Sequence, residues 1–389
     1  MTKKWSSRLT FFAFVVLMVG LGSNDSLRGI FSTIFLEHFS LTTTQLGLIV
    51  TASYIGNLVF LLVGGNLSTR FSKKRVLLVL ILIWMAALAL FAFTSNYTVL
   101  LIGMALALGS STLLNTTMNL ITPLLFATAP GFFVNFLFFT QEIGTSGSQY
   151  ILGSHADGFA FWQHTNLVLL ILGAVAFVLL LFCNVPEEAA APADAPAQKG
   201  GYDWRIIVPY VLVFGFYFIA EHGVMNWMVA YGVDGLGLPQ ASAAKYLSVF
   251  FGGMMIGRLS LSPLVDKLGA LKSLAAFGGV SCVLYLIGSL GGAVTMPVWA
   301  ISGLSFSILN PTLGMSIRLY FPAQQVSGAA GTILSIASLA DILFNVGFGK
   351  LVEMTGYAVS IRVLPLSALA FFIVFILFTK FCKPTQKLK

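Results

Sequence analysis

Apolar runs of about 20 residues recur from one end of this 389-residue chain to the other, each long enough to cross a bilayer core of about 30 Å as an α-helix. Lipid offers no partner to backbone N–H and C=O groups, so only helices and closed barrels span it. The runs are continuous rather than alternating, which selects helices. With 58% hydrophobic and 9% charged residues, against roughly 25% charged in soluble domains, a water-soluble fold is excluded. The expected fold class is an all-α polytopic membrane protein.

Twelve spans are expected, over residues 10–33, 44–67, 76–95, 98–125, 132–153, 165–184, 206–231, 243–264, 272–292, 297–319, 327–350 and 361–380. The only long polar, Pro/Ala-rich stretch is "NVPEEAAAPADAPAQKGGYDWR", Asn184 to Arg205. It reads as a linker at 185–205 between an N-terminal six-helix bundle, 1–184, and a C-terminal one, 206–389. The start has the basic flank and apolar run of a signal peptide. The run continues past Arg28 without a clear small-residue cleavage site, so it is read as a retained first span. Cys183, Cys282 and Cys382 are too scattered to suggest a disulfide frame or a metal site.

The net charge of +8 is a matter of topology. Lys3, Lys4, Arg8, the Arg70–Arg75 cluster, Lys199, Arg205, Lys267, Lys272 and the lysines after Phe378 all fall on one side of the membrane. The opposite loops hold Lys245, Lys350 and Arg362. By the positive-inside rule both termini and the linker are cytoplasmic. The basic excess therefore signals no nucleic-acid partner.

The two halves repeat. Shifted by 197 positions, "GNLSTRFSKKR" (Gly65 to Arg75) falls on "SPLVDKLGALK" (Ser262 to Lys272), with Thr69 on Asp266, Arg70 on Lys267, Ser72 on Gly269 and Arg75 on Lys272. The same shift places Leu41 on Leu238, Gly56 on Gly253 and Asp25 on His222 beside Glu221; a similar one places Asn115 on Asn310. Parallel repeats of six spans put a solute site between the halves near the bilayer midplane.

These basic loop motifs, one after the second span of each half, resemble those of the major facilitator superfamily. The family pattern is Gly-x-x-x-Asp-Arg/Lys-x-Gly-x-Arg/Lys-Arg/Lys. The first copy keeps Gly65, Arg70, Lys74 and Arg75 but has Thr69 and Ser72 for the acid and glycine; the second keeps Asp266, Lys267, Gly269 and Lys272. The resemblance implies two pseudo-symmetric six-helix halves and a gating role for Gly65, Arg70, Arg75, Asp266 and Lys267. A narrower resemblance covers "AEHGVMNWMVAYGV", "AAKYLSVFFGGMMIGRL", "ILNPT" and "NFLFFTQEIG". They are similar to the fucose:proton symporter branch, which includes glucose/galactose carriers. That branch often pairs a first-span acid with a fourth-span glutamate; here the first is present as Asp25, but the fourth span offers only Asn115 and Asn119. The fifth span lacks the Gly-Pro common in drug antiporters, since no proline follows Gly144 or Gly147.

Ionisable groups inside spans are costly, and each is a functional candidate. Asp25, Glu142, Glu221, His222 and Asp341 are the candidates for coupling a cation. Arg258 and Arg318 lie near span ends, where they snorkel as interfacial anchors. Asp25 and Arg28, at i, i+3, share a helix face. They form either an ion pair that neutralises itself, or a device in which Asp25 takes a proton or Na⁺ and Arg28 binds solute, for which a guanidinium's fork suits a carboxylate. Asn24 lies beside them. Gln141, Thr145, Ser148 and Gln149 make one polar face on the fifth span, either helix–helix glue or a surface for hydroxyl recognition. Glu142 points about 100° away from Gln141. Asn115 and Asn119 share a face of the fourth span. Asn310 precedes the helix-kinking Pro311 and is open to a structural or a functional reading.

In the eleventh span Ser338, Asp341 and Asn345 form a stripe, with Asp341 an alternative coupling site or a partner of Arg28. His222 titrates near neutrality when unperturbed. Asn226 lies one turn on, and Trp227 offers a ring either for packing or for stacking on a sugar. No nucleophile–base spacing, metal motif or Gly-x-x-x-x-Gly-Lys-Ser/Thr loop occurs. The expectation is thus not an enzyme and not ATP-driven, with no cofactor and no metal. It is a monomeric carrier of a small polar solute, a monosaccharide or related sugar, moved with a proton or Na⁺ across a bacterial-type inner membrane. An organic anion or sugar-acid carrier, or a metabolite exporter, is the alternative; a lipid translocase or a non-transporting sensor is a further one.

Overall fold

A computed structural model describes residues 3–126, 130–186 and 202–384. Most of the expected linker lies outside the described residues. The chain divides into two compact units, Met1–Ala195 and Pro196–Lys389. Unit 1 holds span 1 (Lys3–Ile30), span 2 (Thr43–Arg70), span 3 (Lys73–Phe93), span 4 (Tyr97–Leu125), span 5 (Pro130–Ile151) and span 6 (Phe159–Leu181). Unit 2 holds span 7 (Trp204–Ala230), span 8 (Gln240–Leu268), span 9 (Ala270–Leu290), span 10, which is broken, span 11 (Ala323–Thr355) and span 12 (Val363–Phe381).

Among the described residues, eleven helices are long and apolar enough to cross a membrane. The expected twelfth is span 5, a helix of 22 residues in which Gln141, Glu142, Ser148 and Gln149 dilute the apolar content. On span 6, Val168, Ile171, Val175 and Val178 are exposed at spacings of three and four. That is one outward stripe, apolar because the solvent it meets is lipid.

The repeat read from the sequence is present in the packing. In unit 1, span 2 packs on span 4, span 1 on spans 5 and 6, and span 3 on spans 4 and 6. In unit 2, span 8 packs on span 10, span 7 on spans 11 and 12, and span 9 on spans 10 and 12. Small residues set the closest approaches, as packing in lipid favours. A Cβ on Gly56 would strike the Ala105 carbonyl of span 4, and one on Gly253, its repeat partner, would press on Leu304 of span 10.

A second tight crossing in unit 1 joins spans 1 and 5. A Cβ on Gly22 would collide with the Gln141 carbonyl oxygen, and one on Gly144 with the Val19 carbonyl oxygen. The hydroxyls beside them complete a reciprocal lock: Ser23 Oγ donates to Gly144 O at 3.3 Å, and Thr145 Oγ1 donates to Gly22 O at 3.2 Å.

Two departures from the sequence reading have local causes. Span 10, expected as one helix over 297–319, is a series of short helices at Met296–Ile301, Gly303–Phe306 and Leu309–Ser316. Pro311 lacks an N–H and its ring crowds the carbonyl four residues back, at Ser307, where the break falls. The hydroxyls of Ser302, Ser305 and Ser307 turn back on their own chain, donating to the carbonyls of Trp299, Ser302 and Leu304 at 2.5, 3.0 and 2.7 Å.

The second departure is the missing glycine of the first loop motif. Gly269 sits between spans 8 and 9 at φ +81°, where L-residues are strained. Ser72, its repeat partner, sits at φ −59° and caps span 3, its hydroxyl accepting from Arg75 N at 3.4 Å. The first turn follows a different backbone path and has no need of glycine.

Gly144→Leu is expected to destabilise unit 1 by about 1–3 kcal/mol through overpacking, read as a lower unfolding temperature in detergent, whereas Gly147→Ala, which meets open space, leaves it unchanged. Gly269→Ala should lose about 1–2 kcal/mol from the left-handed turn, and Ser72→Gly only a few tenths, by the same measurement.

Candidate solute and coupling sites

Unit 1 arranges its polar side chains in three tiers along span 1, one helical turn apart. The first lies at the level of Gly22. Asn119 Nδ2 donates to Asn115 Oδ1 at 2.6 Å, and Asn115 Nδ2 donates to Gln141 Oε1 at 2.6 Å, an amide chain joining spans 4 and 5. The i, i+4 spacing of the asparagines makes the first bond possible, and the glycine crossing holds Gln141 against span 1. Asn119 Oδ1 is buried without a partner.

The second tier is Asp25, half-buried. Ser111 Oγ stands 3.4 Å from each carboxylate oxygen, and Asn24 Nδ2 donates at 3.5 Å. Both contacts are at the long limit of hydrogen bonding, so the carboxylate is held loosely by neutral donors. Ser111 was not singled out from the sequence, although it extends the Asn115–Asn119 stripe by one turn and occupies the place opposite the first-span acid.

The third tier is Arg28, which is 4% exposed. Its guanidinium lies over the Tyr54 ring of span 2, 5.6 Å from the centroid, and its Nε is buried without a hydrogen bond. Among the described residues Arg28 makes no ion pair. The self-neutralising Asp25–Arg28 pair, one of the two sequence readings, is therefore not formed as a contact pair, though Arg28 acts on Asp25 through space. Tyr54 carried no sequence signal, since one tyrosine in an apolar span reads as packing.

Elsewhere on span 5, Gln149 is fully buried with neither amide atom paired, and Glu142 is half-buried and engaged with a neighbour.

Unit 2 brings together span 7 and span 11. His222 Nδ1 pairs with Asp341 Oδ2, while Asp341 Oδ1 is buried and unpaired. Asn345 Nδ2 donates to the Asp341 carbonyl at 2.8 Å, and Asn345 Oδ1 accepts from Trp227 Nε1 at 2.9 Å. Asp341 thus has His222 as its partner within its own unit. Trp227 is wholly buried against Phe348; in this conformation it packs and presents no free face. Asn226 is buried and engaged. Glu221 is buried on another face of span 7, near Tyr217 and Tyr285, with Oε2 unpaired. Asn310 is half-buried just after the span 10 break. His222 meets span 11 whereas its repeat partner Asp25 meets span 4, so the two matched positions serve different neighbours.

Of the five gating candidates, Gly65, Arg70 and Asp266 have side chains outside the described residues, and Arg75 and Lys267 are exposed. The motif residue with a definite contact is Lys74, whose Nζ donates to the carbonyls of Leu181 and Cys183 at 2.8 and 2.7 Å. It caps the C-terminal end of span 6, where a cation is favoured. No cluster of three or more His, Cys, Asp or Glu suited to a metal occurs among the described residues.

Curated relatives and solved structures agree with this architecture. A glucose/galactose transporter of Brucella abortus is 27% identical over 344 residues, 82% of this chain and 81% of the relative. The L-fucose-proton symporter of Escherichia coli is 23% identical over 333 residues, 74% of this chain and 75% of the relative. A cis,cis-muconate transport protein of Acinetobacter baylyi is 24% identical over 297 residues, 71% and 70%. The fold matches a crystal structure of a D-xylose-proton symporter with a TM-score of 0.79 at 15% identity, covering 99% of both chains. The family model of the Major Facilitator Superfamily matches residues 10–345. The chain belongs to the major facilitator superfamily and is a multi-pass membrane transporter.

Proposed function

We propose that this transporter carries a monosaccharide or related sugar together with a proton. The observation that carries the reading is the tiered polar face of span 1, where a chain of neutral amides stands one turn from a loosely held acid. Amides both donate and accept, which suits hydroxyls, and the unpaired Asn119 Oδ1 is an acceptor that a sugar hydroxyl would satisfy. An orphaned buried acceptor costs about 1–3 kcal/mol, and binding removes that cost. Asp25 is the coupling group. Three relatives or neighbours are named for glucose/galactose, fucose with a proton, and xylose with a proton, which supports the solute class and favours a proton over sodium.

The cycle is alternating access, with the two six-helix units exposing the solute to one side of the membrane at a time. The Lys/Arg bias supports cytoplasmic termini, and the bacterial relatives support an inner membrane. The His222–Asp341 pair, with one carboxylate oxygen unpaired, is a second place for a proton. The muconate relative is named for a dicarboxylate, which makes carboxylates the second solute class to test.

In proteoliposomes, a more acidic exterior should raise uptake of a labelled monosaccharide, because protonation from outside loads Asp25. Asp25→Asn should abolish accumulation under that gradient while leaving solute counterflow. Gradient-driven accumulation by Asp25→Asn equal to wild type would remove Asp25 from coupling, and absence of sugar uptake under every gradient would refute sugar transport. Asn115→Ala and Gln141→Ala should each raise the KM for uptake roughly tenfold, the value of about one hydrogen bond, with little change in protein yield.

A further inference from the structure

Recognition of a neutral sugar and coupling to a proton leave Arg28 without a task. A guanidinium stays charged in proteins and is a fork of donors matched to a carboxylate. Here it is 4% exposed, inside a membrane span, with no hydrogen bond or ion pair among the described residues. The Tyr54 face below it compensates only part of the lost hydration. Natural proteins pair a buried charge or keep it for function. The nearest acid, Asp25, one turn away, is held by Ser111 and Asn24 instead of by the guanidinium.

The rest of the tiered face says what kind of anion fits. Gly22, at the level of the amide chain, and Arg28 are six residues apart on one helix, which is about 9 Å along its axis. An extended hexonate or hexuronate covers that span once hydrogen bonds are added at each end. We propose that the solute is a sugar acid, its carboxylate on Arg28 and its hydroxyls on Asn115 and Gln141 at the near end of the amide chain. The inference rests on the sugar-type symport proposed above and narrows it.

Charge then explains the order of binding. While Asp25 is ionised it balances Arg28 through space and repels an incoming carboxylate. A proton on Asp25 removes both effects, and the solute's carboxylate becomes the counter-ion of Arg28. Within the spans packed against span 1 the other ionisable side chains are Tyr54, Arg70, Tyr97, Glu142, Tyr150 and His164. Glu142 is the one acid among them; it follows Gln141 and so points about 100° away from the amide chain.

The test uses the purified full-length protein and direct binding of D-glucose, D-galactose, D-gluconate, D-glucuronate, D-galacturonate and cis,cis-muconate. At least one sugar acid should bind ten or more times more tightly than its neutral counterpart. Arg28→Gln should weaken that acid at least tenfold and leave neutral-sugar binding within twofold; Arg28→Lys, which keeps the charge but not the fork, should fall between. If Arg28→Gln does not fold, as judged by size exclusion, the acid-to-neutral selectivity of Arg28→Lys carries the test. Neutral sugars that bind more tightly than every acid, independently of residue 28, overturn the sugar-acid inference and leave sugar symport standing. Muconate binding alone, or no binding by any probe, overturns both.

Discussion

Lipid cannot hydrogen-bond a polar side chain, so each one inside a span is either answered by the protein or left ready for something that arrives. Most are answered locally. Serine and threonine hydroxyls along the spans return to carbonyls three or four residues back, as at Ser53, Thr117, Thr122 and Ser289. Others are not: Asn119 Oδ1, Arg28 Nε and the Gln149 amide in unit 1, and Asp341 Oδ1 and Glu221 Oε2 in unit 2, are buried without a partner, as are groups elsewhere such as Thr51 Oγ1, Trp84 Nε1 and Ser273 Oγ. The functional reading rests on the first set.

Their arrangement depends on the crossing of spans 1 and 5. Gly22 and Gly144 let the two backbones touch, and that contact sets Gln141 level with Gly22, one turn below Asp25 and two below Arg28. A side chain at either glycine would separate the amide chain from the acid. The same packing logic in unit 2 uses span 7 against span 11, but its histidine–aspartate pair falls, by the repeat, on Asp25 and Gly144 of unit 1. The repeat preserves the helix contacts and lets the chemistry diverge.

The loop motifs show a similar division. Read as a pattern, the first copy looks degraded, with serine in place of glycine. As backbone, Ser72 is an N-cap with ordinary φ, whereas Gly269 needs a left-handed turn. Lys74, a matching residue of the pattern, caps the end of span 6, which ties the loop between spans 2 and 3 to the last helix of its unit.

Much was legible in the sequence because it depends on local rules. Membrane spanning followed from run length, the two units from the 197-residue repeat, and the candidate polar residues from the cost of placing them in lipid. The Pro311 break was visible as a kink signal in span 10 but not as three short helices, because the close approach of span 8, at Gly303 of span 10 and Gly257 of span 8, also shapes it. What tertiary structure alone decided was partnership. Asp25 and Arg28 sit at i, i+3 spacing, which allows an ion pair; instead Ser111 faces the acid and Tyr54 the base. Asp341 was read as an alternative coupling site or a partner of Arg28, and packing of span 7 on span 11 gives it His222 as its partner within its unit. Spacing along one helix tells which residues share a face, whereas the identity of whatever faces them is set by side chains on other helices, 26 residues away for Tyr54, 86 for Ser111 and 119 for the His222–Asp341 pair, brought close by helix crossings that no local pattern encodes.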